Sequence, residues 1–535
     1  KAPPGARRQN GFLVTAMPFL PNNLFFETIG RPDRRLPARE VAQIAVELIG
    51  TLERLHGTGY IHCDLKPENI CYSAKACSGS TDRCTHIIDF DLARPWRSAS
   101  GEHIDYGGAL SMSGGREPGF AGTARYASTN QHCMRTLSRR DDLESLAYSL
   151  AWLLYGKLPW MGVGRFQHGD SIEKKFRANN VRLRMKHECV SAGLAQSIRC
   201  DSNSGSSRKS SSSGGGGSDS GGGSDGGGRG PSDCCSSSDD VCARAVERAI
   251  DLLAIRAQAL DFAEAPPYET LASMFRRAAQ GKPIEEPSTA SASVGAQQWI
   301  TVFTEQSTKK QAYHTNVSTL ERLSEHIAEC FSNGHVISSV AVNRSDATWT
   351  IITDVSDELH SQEWCHSPEF LPKEWIEREW DEDRWITSLC GAPNGGSIVV
   401  MSEGAPFTQQ SYKVSSGFPF RWVAKKWEDG FAITSVATGH DGEFAVVMSR
   451  DSGIIDQVVE TDHQYMSEGV RMLWARGMHI SACTSTPEQT VMILSKFSDE
   501  PPPKQETLCT PSFPSDHIEM DNLYLTAICY GRTVC

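Results

Sequence analysis

The sequence predicts a multidomain protein in which a mainly α-helical unit is followed by an all-β-rich repeat domain. At 535 residues the chain exceeds one ordinary domain, since domains typically hold about 100 to 200 residues. Helical periodicity extends to residue 281, and tryptophans recur at a fixed spacing after residue 299. We therefore divide the chain into a helical unit at 1–281, a linker at 282–298 and a repeat domain at 299–535.

Apolar residues at helical spacing define the first unit. From Pro37 to Gly57 they recur every three or four positions, which places them on one face of a helix. A second helix is predicted from about Asp142 to Tyr155, and residues 241–262 and 268–280 follow the same pattern. The stretch "HIIDFDLA" at 86–93 instead predicts a short buried strand that ends in acidic residues.

A low-complexity segment interrupts the helical unit. Residues 201–233 consist almost entirely of Ser, Gly and Asp, and such a composition cannot bury enough apolar surface to offset the entropy of ordering. The segment is therefore predicted to be a disordered insertion. Its glycines do not follow a predicted strand, so they do not indicate a phosphate-binding loop.

Composition and charge narrow the class of protein. No run approaches the roughly 18 apolar residues that span a bilayer, so we expect no membrane association. The 17 cysteines lack paired spacing, which favours reduced thiols over a disulfide framework. Residues 1–200 carry 27 Lys and Arg against 19 Asp and Glu, leaving 26 against 46 for residues 201–535. The second part is expected to attract basic partners, unless its acidic residues only keep the surface solvated.

A repeat of nearly constant length runs through the second unit. Trp380, Trp427 and Trp474 are 47 residues apart each time, and glutamines follow almost the same step at 410, 457 and 505. An earlier and less regular copy includes Gln362. Each copy contains three β-rich segments and a helix-like connector, which indicates a repeat architecture. The tryptophans are expected to pack in the repeat core rather than to form a ligand cage.

The two ends of the repeat domain complement each other. The last segment, "LYLTAICYGRTV" at 523–534, supplies only the first strand of a fifth copy. Residues 299–306 and 311–317 would supply its later strands, because Gln311 stands before Tyr313 as Gln410 stands before Tyr412. Joining the ends in this way would close a ring, which predicts a propeller-like domain with about five blades. An open stack of α/β repeats is the alternative.

The stretch "HCDLKPEN" at 62–69 carries the residues required for phosphoryl transfer. That reaction needs a carboxylate to accept the hydroxyl proton, a cation near the γ-phosphate and side chains that hold magnesium. Asp64 is the candidate base and Lys66 the candidate phosphate contact, while Asn69 and Asp89 are the candidate ligands of Mg²⁺. The order and spacing of these four residues are those of the protein-kinase catalytic loop and metal segment, which implies ATP as the phosphate donor.

Further motifs make the resemblance more specific. Through "GTARYAS" at 122–128, "SRRDDLESLAY" at 138–148 and "GKLPW" at 156–160, the first unit resembles the casein kinase 1 family of Ser/Thr protein kinases. The second unit, with "KEWIEREW" and "FPFRWV", is similar to the repeat tail of plant and green-algal casein-kinase-1-like histone and photoregulatory kinases. This resemblance implies nuclear or cytoplasmic location and protein substrates such as histones or nuclear regulators. It implies no direct binding of nucleic acid.

The resemblance also assigns roles to individual residues. Met17 would border the adenine of ATP, and Phe19 and Leu20 would bind it through their backbone at the hinge. Asp142 would anchor the catalytic loop from the second helix. A further pair of basic residues, matching positions that bind phosphate or sulfate in the family, would form a substrate anion site: Arg94 and Arg125.

Three departures from the family pattern bear on activity. Cys63 replaces the usual arginine before the catalytic aspartate, and Asp91 replaces the usual glycine of the metal segment. No glycine-rich loop precedes the hinge, and Lys1 is the sole lysine before Lys66. The sequence therefore predicts a kinase C-lobe with most of the N-lobe absent, and a chain that is inactive alone. A non-catalytic scaffold or pseudokinase, binding partners through the repeat domain, is the alternative.

Overall fold

The computed structural model describes residues 6–9, 12–15, 20, 22–74, 83–113, 120, 122–163, 172–204, 238–284, 297–305, 311–356, 359–392, 395–440, 442–462, 467–486, 489–498, 503–518 and 523–532. In these ranges, no helix has both the length and the apolar character required to cross a membrane. Met17, Phe19 and most of the predicted insertion at 201–233 lie outside the described residues.

The first unit consists mainly of helices, with short strands around a central loop. Its helices are α1 (Leu24–Gly30), α2 (Ala38–Gly57), α3 (Thr129–His132), α4 (Arg139–Tyr155), α5 (Ile172–Ser191), α6 (Leu194–Ser204), α7 (Ser238–Ala259) and α8 (Tyr268–Ala279). Its strands are β1 (Ala6–Gln9), β2 (Phe12–Thr15), β3 (Asn22–Asn23), β4 (Tyr60–Ile61), β5 (Ile70–Ala74), β6 (Arg83–Ile87), β7 (Arg94–Pro95) and β8 (Leu110–Ser111). Short 3₁₀ turns cover Pro67–Asn69 and Pro159–Gly162.

Helices α2 and α4 form the centre of this unit. α2 has the predicted bounds and buries Leu48 and Leu52 completely, which contributes about 1.5–3 kcal/mol per side chain. α4 begins before the predicted Asp142, because Ser138 and Asp141 form a capping box at its N terminus. It ends where Gly156 adopts a left-handed φ of 70°. α7 and α8 pack against these helices and complete the core.

Two sequence predictions for this unit need correction, and one strand is confirmed. Helix α6 continues through Ser204, so residues 201–204 belong to a helix rather than to the insertion. Strand β9 of the second unit begins at Gln297, inside the predicted linker. Strand β6 pairs antiparallel with β5 and ends at Ile87, as "HIIDFDLA" predicts. Asp89 therefore follows a strand that flanks the catalytic loop.

The second unit is β-rich, as predicted, and contains several small sheets. Its strands are β9 (Gln297–Glu305), β10 (Gln311–Val317), β11 (Val336–Asn343), β12 (Thr348–Asp354), β13 (His360–Ser367), β14 (Trp385–Gly391), β15 (Ser397–Glu403), β16 (Gln409–Ser415), β17 (Phe431–Thr438), β18 (Phe444–Arg450), β19 (Asp456–Asp462), β20 (His479–Ser485), β21 (Thr490–Lys496), β22 (Gln505–Thr510) and β23 (Leu523–Arg532). Its helices are α9 (Leu320–Ser332), α10 (Lys373–Asp381), α11 (Phe420–Glu428), α12 (Glu468–Trp474) and α13 (Ser515–Ile518).

The strands of the second unit pair in five antiparallel sheets. Their orders are β10-β12-β11, β13-β15-β14, β16-β18-β17, β20-β21-β19 and β22-β9-β23. The fourth sheet also includes β8 from the first unit, at the free edge of β19. Neighbouring sheets touch through β11, β14, β17, β20 and β23, and β23 in turn contacts β11.

A glutamine from each sheet bonds to the backbone of the preceding sheet. Gln410 accepts a hydrogen bond from the Ile386 N–H at 2.9 Å and donates one to its carbonyl at 2.9 Å. Ile386 needs these bonds because its strand shifts register directly after it. The same arrangement joins Gln362 to Ile337, Gln457 to Ile433, Gln505 to Ile480 and Gln311 to Leu525. Since Gln311 lies in the first sheet and Leu525 in the fifth, these glutamine bonds also connect the fifth sheet to the first.

The two ends of the domain meet much as the sequence predicts. Strand β9, which contains residues 299–305, pairs with β23 and lies at the centre of the fifth sheet. Residues 311–317 form β10 and pair in the first sheet instead of the fifth. Each sheet therefore combines the first two strands of one sequence repeat with the third strand of the repeat before it.

Candidate active site

Asp142 on α4 holds the start of the catalytic loop. Its carboxylate accepts the backbone N–H of His62 at 2.7 Å and that of Cys63 at 2.9 Å, and it lies 2.9 Å from His56 Nε2. Burial alone would raise the pKa of Asp142, but the hydrogen bond and charge of His56 and the hydrogen bond from the His62 backbone outweigh burial, so the pKa is lowered. Asp142 is thus kept ionised in the anchoring position that the resemblance implies.

His62 links the loop to the strand before Asp89. The ring is fully buried, and its Nε2–H donates to the carbonyl of Ile88 at 3.0 Å. Because the Ile88 carbonyl can only accept, it selects the tautomer with the proton on Nε2. The Nδ1 atom is then free of a proton and accepts the backbone N–H of Asp64 at 3.3 Å. His62 therefore packs beneath the loop and does not face the reacting groups.

The Asp64 carboxylate is held on both oxygens. Lys66 Nζ lies 2.5 Å from Oδ2, and the backbone N–H of Thr123 donates to Oδ1 at 2.8 Å. Lys66 also donates to Thr123 Oγ1 at 3.0 Å, which joins the three residues in one network. Sequence reasoning did not select Thr123, although it lies in the quoted "GTARYAS" stretch. Lys66 thus lies beside Asp64, and its contact with a phosphate stays a prediction.

Asn69 and the residue before Asp89 are bonded to each other. The Ile88 N–H donates to the Asn69 carbonyl at 2.9 Å, which brings Asp89 next to Asn69. Asn69 is buried, and its Nδ2 donates to the Asp64 carbonyl at 3.0 Å, with a second contact to Oδ2 at 3.4 Å. Within the described residues Asn69 Oδ1 accepts no hydrogen bond, so this oxygen is the one left for a cation. Asp89 is exposed and adopts a left-handed φ of 66°.

These oxygen donors fit Mg²⁺ as kinases hold it. In the part of the chain that the structure describes, no group of three His, Cys, Asp or Glu side chains could hold a metal ion alone. Mg²⁺ in phosphoryl-transfer sites usually takes one or two protein ligands and fills its coordination with water and phosphate oxygens. Asn69 Oδ1 and the Asp89 carboxylate are the residues that would hold it here.

The two replaced positions have different surroundings. Cys63 has a φ of 66° and packs in a small apolar cluster with Ile61 and Leu137. No cation is supplied from this position, as the sequence indicates. Asp91 is exposed and does not adopt a positive φ, so the loss of the usual glycine causes no left-handed strain there.

The predicted anion-site residues lie in different local surroundings. Arg94 pairs with Ile61 between β7 and β4, whereas the Arg125 guanidinium lies 5.8 Å from the centre of the Tyr126 ring. Leu20, the described member of the predicted hinge, is half-buried. The positions of Met17 and Phe19 are outside the described residues.

A buried lysine that sequence reasoning missed supports the segment after Thr123. Lys186 on α5 donates to the carbonyls of Ala124 at 3.2 Å and Ala127 at 2.5 Å. Its amine lies over the rings of Tyr148 and Trp160. Burial lowers the pKa of Lys186 well below its usual value, although the charge of Glu144 acts in the opposite direction. No local sequence signal marks this lysine, because its partners are backbone carbonyls.

Comparison with known proteins agrees with this geometry. Residues 5–201 match the protein kinase domain family, and the chain is 36% identical to the Casein kinase 1-like protein HD16 of rice over 94% of this chain and 65% of that protein. The chain belongs to the casein kinase 1-like family.

Other relatives of this casein kinase 1-like protein are shorter matches. It is 35% identical to Casein kinase I homolog 1 of Saccharomyces cerevisiae over 28% of this chain and 26% of that protein. It is 37% identical to a probable serine/threonine-protein kinase of Dictyostelium discoideum over 29% of each. Residues 285–535 match a domain family of unknown function, DUF7477.

The kinase match bears on the predicted absence of the N-lobe. This casein kinase 1-like chain spans 65% of the rice relative's length, and its match to the kinase domain begins at residue 5. The match gives no support to a fragment that lacks the N-lobe. Inactivity of the chain alone stays a prediction.

Proposed function

We propose that the protein is a Ser/Thr protein kinase that transfers the γ-phosphate of ATP to a hydroxyl group of a protein substrate. The observation that carries the proposal is the network in which Lys66 and Thr123 hold Asp64 while Asn69 bonds to the backbone beside Asp89. This network supports the proposal that the base, the cation and the two oxygen ligands required for phosphoryl transfer act together here.

Each residue has a distinct role in this proposal. Asp64 accepts the proton of the substrate hydroxyl, and the Thr123 N–H keeps its carboxylate in place. Lys66 lies within reach of both Asp64 and a transferring phosphate. Asn69 and Asp89 hold Mg²⁺, which when bound neutralises charge on the phosphate oxygens.

The proposed substrates are histones or nuclear regulators, and the proposed location is the nucleus, the cytoplasm or both. Support comes from the resemblance to plant and algal histone and photoregulatory kinases and from the charge of the second half. Residues 201–535 carry 46 acidic against 26 basic residues, so they attract basic segments such as histone tails.

We also propose that the second unit is a five-bladed propeller that recruits these substrates. The five sheets, the contact between β23 and β11, and the Gln311 bond to Leu525 support a closed ring of blades. An open stack of repeats would leave the first and fifth sheets apart.

A partner-binding scaffold without catalysis is the second candidate. It is favoured by one sequence feature, since Cys63 and Asp91 stand where the resembled family has an arginine and a glycine. Nucleotide affinity distinguishes the two functions. A scaffold binds neither ATP nor Mg²⁺ at this site, whereas a kinase binds both.

The direct test compares phosphate transfer from MgATP to histone and casein by the wild-type chain and by Asp64→Asn. In whichever form of the protein transfers phosphate, the chain itself or one extended upstream of Lys1, we expect the substitution to lower the rate by about 10²- to 10⁴-fold, because it removes the base without changing the shape of the side chain. The control is Asp33→Asn, which changes an exposed aspartate outside the site. Chelation of Mg²⁺ should also stop transfer.

Three outcomes separate the parts of this proposal. Transfer by Asp64→Asn at the wild-type rate would contradict the catalytic assignment. Transfer seen only after the chain is extended upstream of Lys1 would agree with the prediction that the chain is inactive alone. If neither the chain nor its extended form transfers phosphate or binds ATP, the scaffold is favoured.

A further inference from the structure

The segment between Asp89 and Thr123 leaves the kinase unit and pairs with the second unit. Strand β8 lies along the free edge of β19, with Leu110 opposite Val459 and Ser111 opposite Val458. The N–H of Ala109 donates to the Val459 carbonyl at 2.9 Å, and that of Met112 donates to the Gln457 carbonyl at 2.8 Å. The kinase segment thus adds a strand to a sheet of the C-terminal domain, in the manner of a bound extended peptide.

A glycine permits the close approach of the two backbones. Gly108 has a φ of 61°, and a methyl group at this position would lie 2.6 Å from Val458 Cγ1 and 2.9 Å from the Val459 carbonyl oxygen. Both distances are too short for real contacts, so a larger residue would push the segment away from β19.

One buried carboxylate of the C-terminal domain contacts both sides of the Thr123 segment. Glu460 on β19 is 1% exposed and accepts a hydrogen bond from the Tyr106 hydroxyl at 2.8 Å. It also forms an ion pair with Arg135, at 2.9 Å between Oε1 and Nη2. Tyr106 precedes Thr123 in the chain and Arg135 follows it. Glu460 therefore ties together the two flanks of the segment that caps the Asp64 carboxylate.

A second carboxylate holds the helix that anchors the catalytic loop. Glu468, at the start of α12, pairs with Arg140 at 2.7 Å and accepts the backbone N–H of Phe262. Arg140 stands two residues before Asp142 on α4. Apolar contacts accompany these pairs, because Tyr106 and Phe262 pack in one cluster with Val458 and residues of α12.

We propose that the C-terminal domain positions the kinase site, with Glu460 as a positioning residue and β19 as the docking edge for residues 109–112. This inference rests on the proposed kinase function. The domain holds the segment that carries Thr123, and Thr123 in turn orients Asp64, so the repeat domain takes part in catalysis as well as in any recruitment of substrates.

The experiment uses the full chain and two matched pairs of variants. Glu460→Gln removes the charge that faces Arg135, and Glu379→Gln is its control, since Glu379 is equally buried but pairs with Arg378 and Arg384 of its own unit. Gly108→Ala introduces the clash with Val458. Gly101→Ala is its control, because Gly101 also has a positive φ but has no atom within 4 Å of an added methyl group.

Two quantities are measured on each variant: amide hydrogen exchange of residues 104–113 and 122–135, and kcat and KM for MgATP and protein substrate. We expect Glu460→Gln and Gly108→Ala to lose protection in these segments by about tenfold or more, while strands β14–β18 stay protected. The kcat value should fall by about tenfold with little change in KM for MgATP. The controls should match the wild type in both.

The outcomes separate this inference from the kinase proposal. Unchanged exchange in Glu460→Gln and Gly108→Ala, or an equal loss in their controls, would overturn the docking. Exchange that changes as expected with kcat unchanged would overturn the positioning role. If the wild type transfers no phosphate, the hydrogen exchange of residues 104–113 and 122–135 alone decides the docking, and the kinase proposal is decided separately by ATP binding and by the form extended upstream of Lys1.

Discussion

At the scale of single residues, the site depends on two non-glycine residues in the left-handed region. Cys63 and Asp89 each have a φ of 66°, a conformation that is unfavourable for both residue types. Cys63 is held there by the bond from its N–H to Asp142, and the residue before Asp89 is held by His62 and Asn69. The surroundings therefore impose the backbone shape at Cys63 and at the residue before Asp89, and Asn69 bonds both to that residue and to Asp64.

The Asp142 anchor leads to a prediction about stability and pH. Because its pKa is lowered on folding, Asp142 stabilises the folded state above the unfolded-state pKa of about 3.9, and this stabilisation is lost as pH falls through the folded value. Asp142→Asn should lower the free energy of unfolding by about 3–5 kcal/mol at pH 7. Urea unfolding at pH 7 and at lower pH measures the difference.

The pH dependence separates the charge from the packing of Asp142. The gap between wild type and Asp142→Asn should begin to narrow below about pH 4, where the carboxyl group becomes protonated in the unfolded state, and should narrow further until pH falls through the lowered pKa of the folded state. Asp33→Asn, an exposed change, should show no gap at either pH. A gap of equal size at pH 7 and pH 3 would contradict the electrostatic explanation.

At the scale of elements, the second unit combines regular repeats with one irregular feature in each. A register shift in the contact strand of every sheet leaves backbone groups without ladder partners, and a glutamine of the neighbouring sheet bonds to them. Trp380 and Trp427 also donate to such glutamines, Gln410 and Gln457, at 3.1 Å. The recurring glutamines, together with Trp380 and Trp427, therefore belong to one structural device, whereas the Trp474 Nε1–H has no partner among the described residues.

This device predicts different effects at two adjacent glutamines. Gln410→Leu should lower the free energy of unfolding by about 2–4 kcal/mol, because it leaves the N–H and carbonyl of Ile386 buried without partners. Gln409→Leu is the matched control, since Gln409 is exposed and should change stability by less than about 0.5 kcal/mol. Chemical denaturation measures both, and equal effects would show that the bridging bonds do not stabilise the domain.

At the scale of the whole molecule, the two units act on each other through charge and through shared contacts. The net charge is −12, and the excess of acidic residues lies in residues 201–535. The contacts of Glu460 and Glu468 with Arg135 and Arg140 bring part of this acidic surface against the kinase unit.

The charge distribution predicts a salt dependence that differs between substrates. Raising the salt concentration from about 0.05 M to 0.3 M should raise KM for a histone substrate several-fold, because it screens attraction to the acidic half. KM for casein, an acidic protein, should rise little or fall. Steady-state kinetics at several salt concentrations tests this, and equal slopes for both substrates would argue against electrostatic recruitment.

The sequence by itself determined the family, the catalytic loop and the repeat. Helix α2 and the strand before Asp89 were predictable because apolar spacing directly reports which face is buried. Candidate catalytic residues could be selected because phosphoryl transfer constrains both their type and their spacing, and their roles stay predictions. The glutamine repeat was visible because in every copy a glutamine bonds to the backbone groups that the register shift leaves unpaired.

Only the tertiary structure decided how the two units join. Strand β8 has two residues, which is too short for any periodic signal, and its partner β19 lies more than three hundred residues later in the chain. Thr123, Lys186 and Glu460 contribute through contacts with backbone groups and with distant side chains, so no local pattern marks them. Local spacing reports burial and chemistry, whereas contacts between remote segments exist only once the chain has folded.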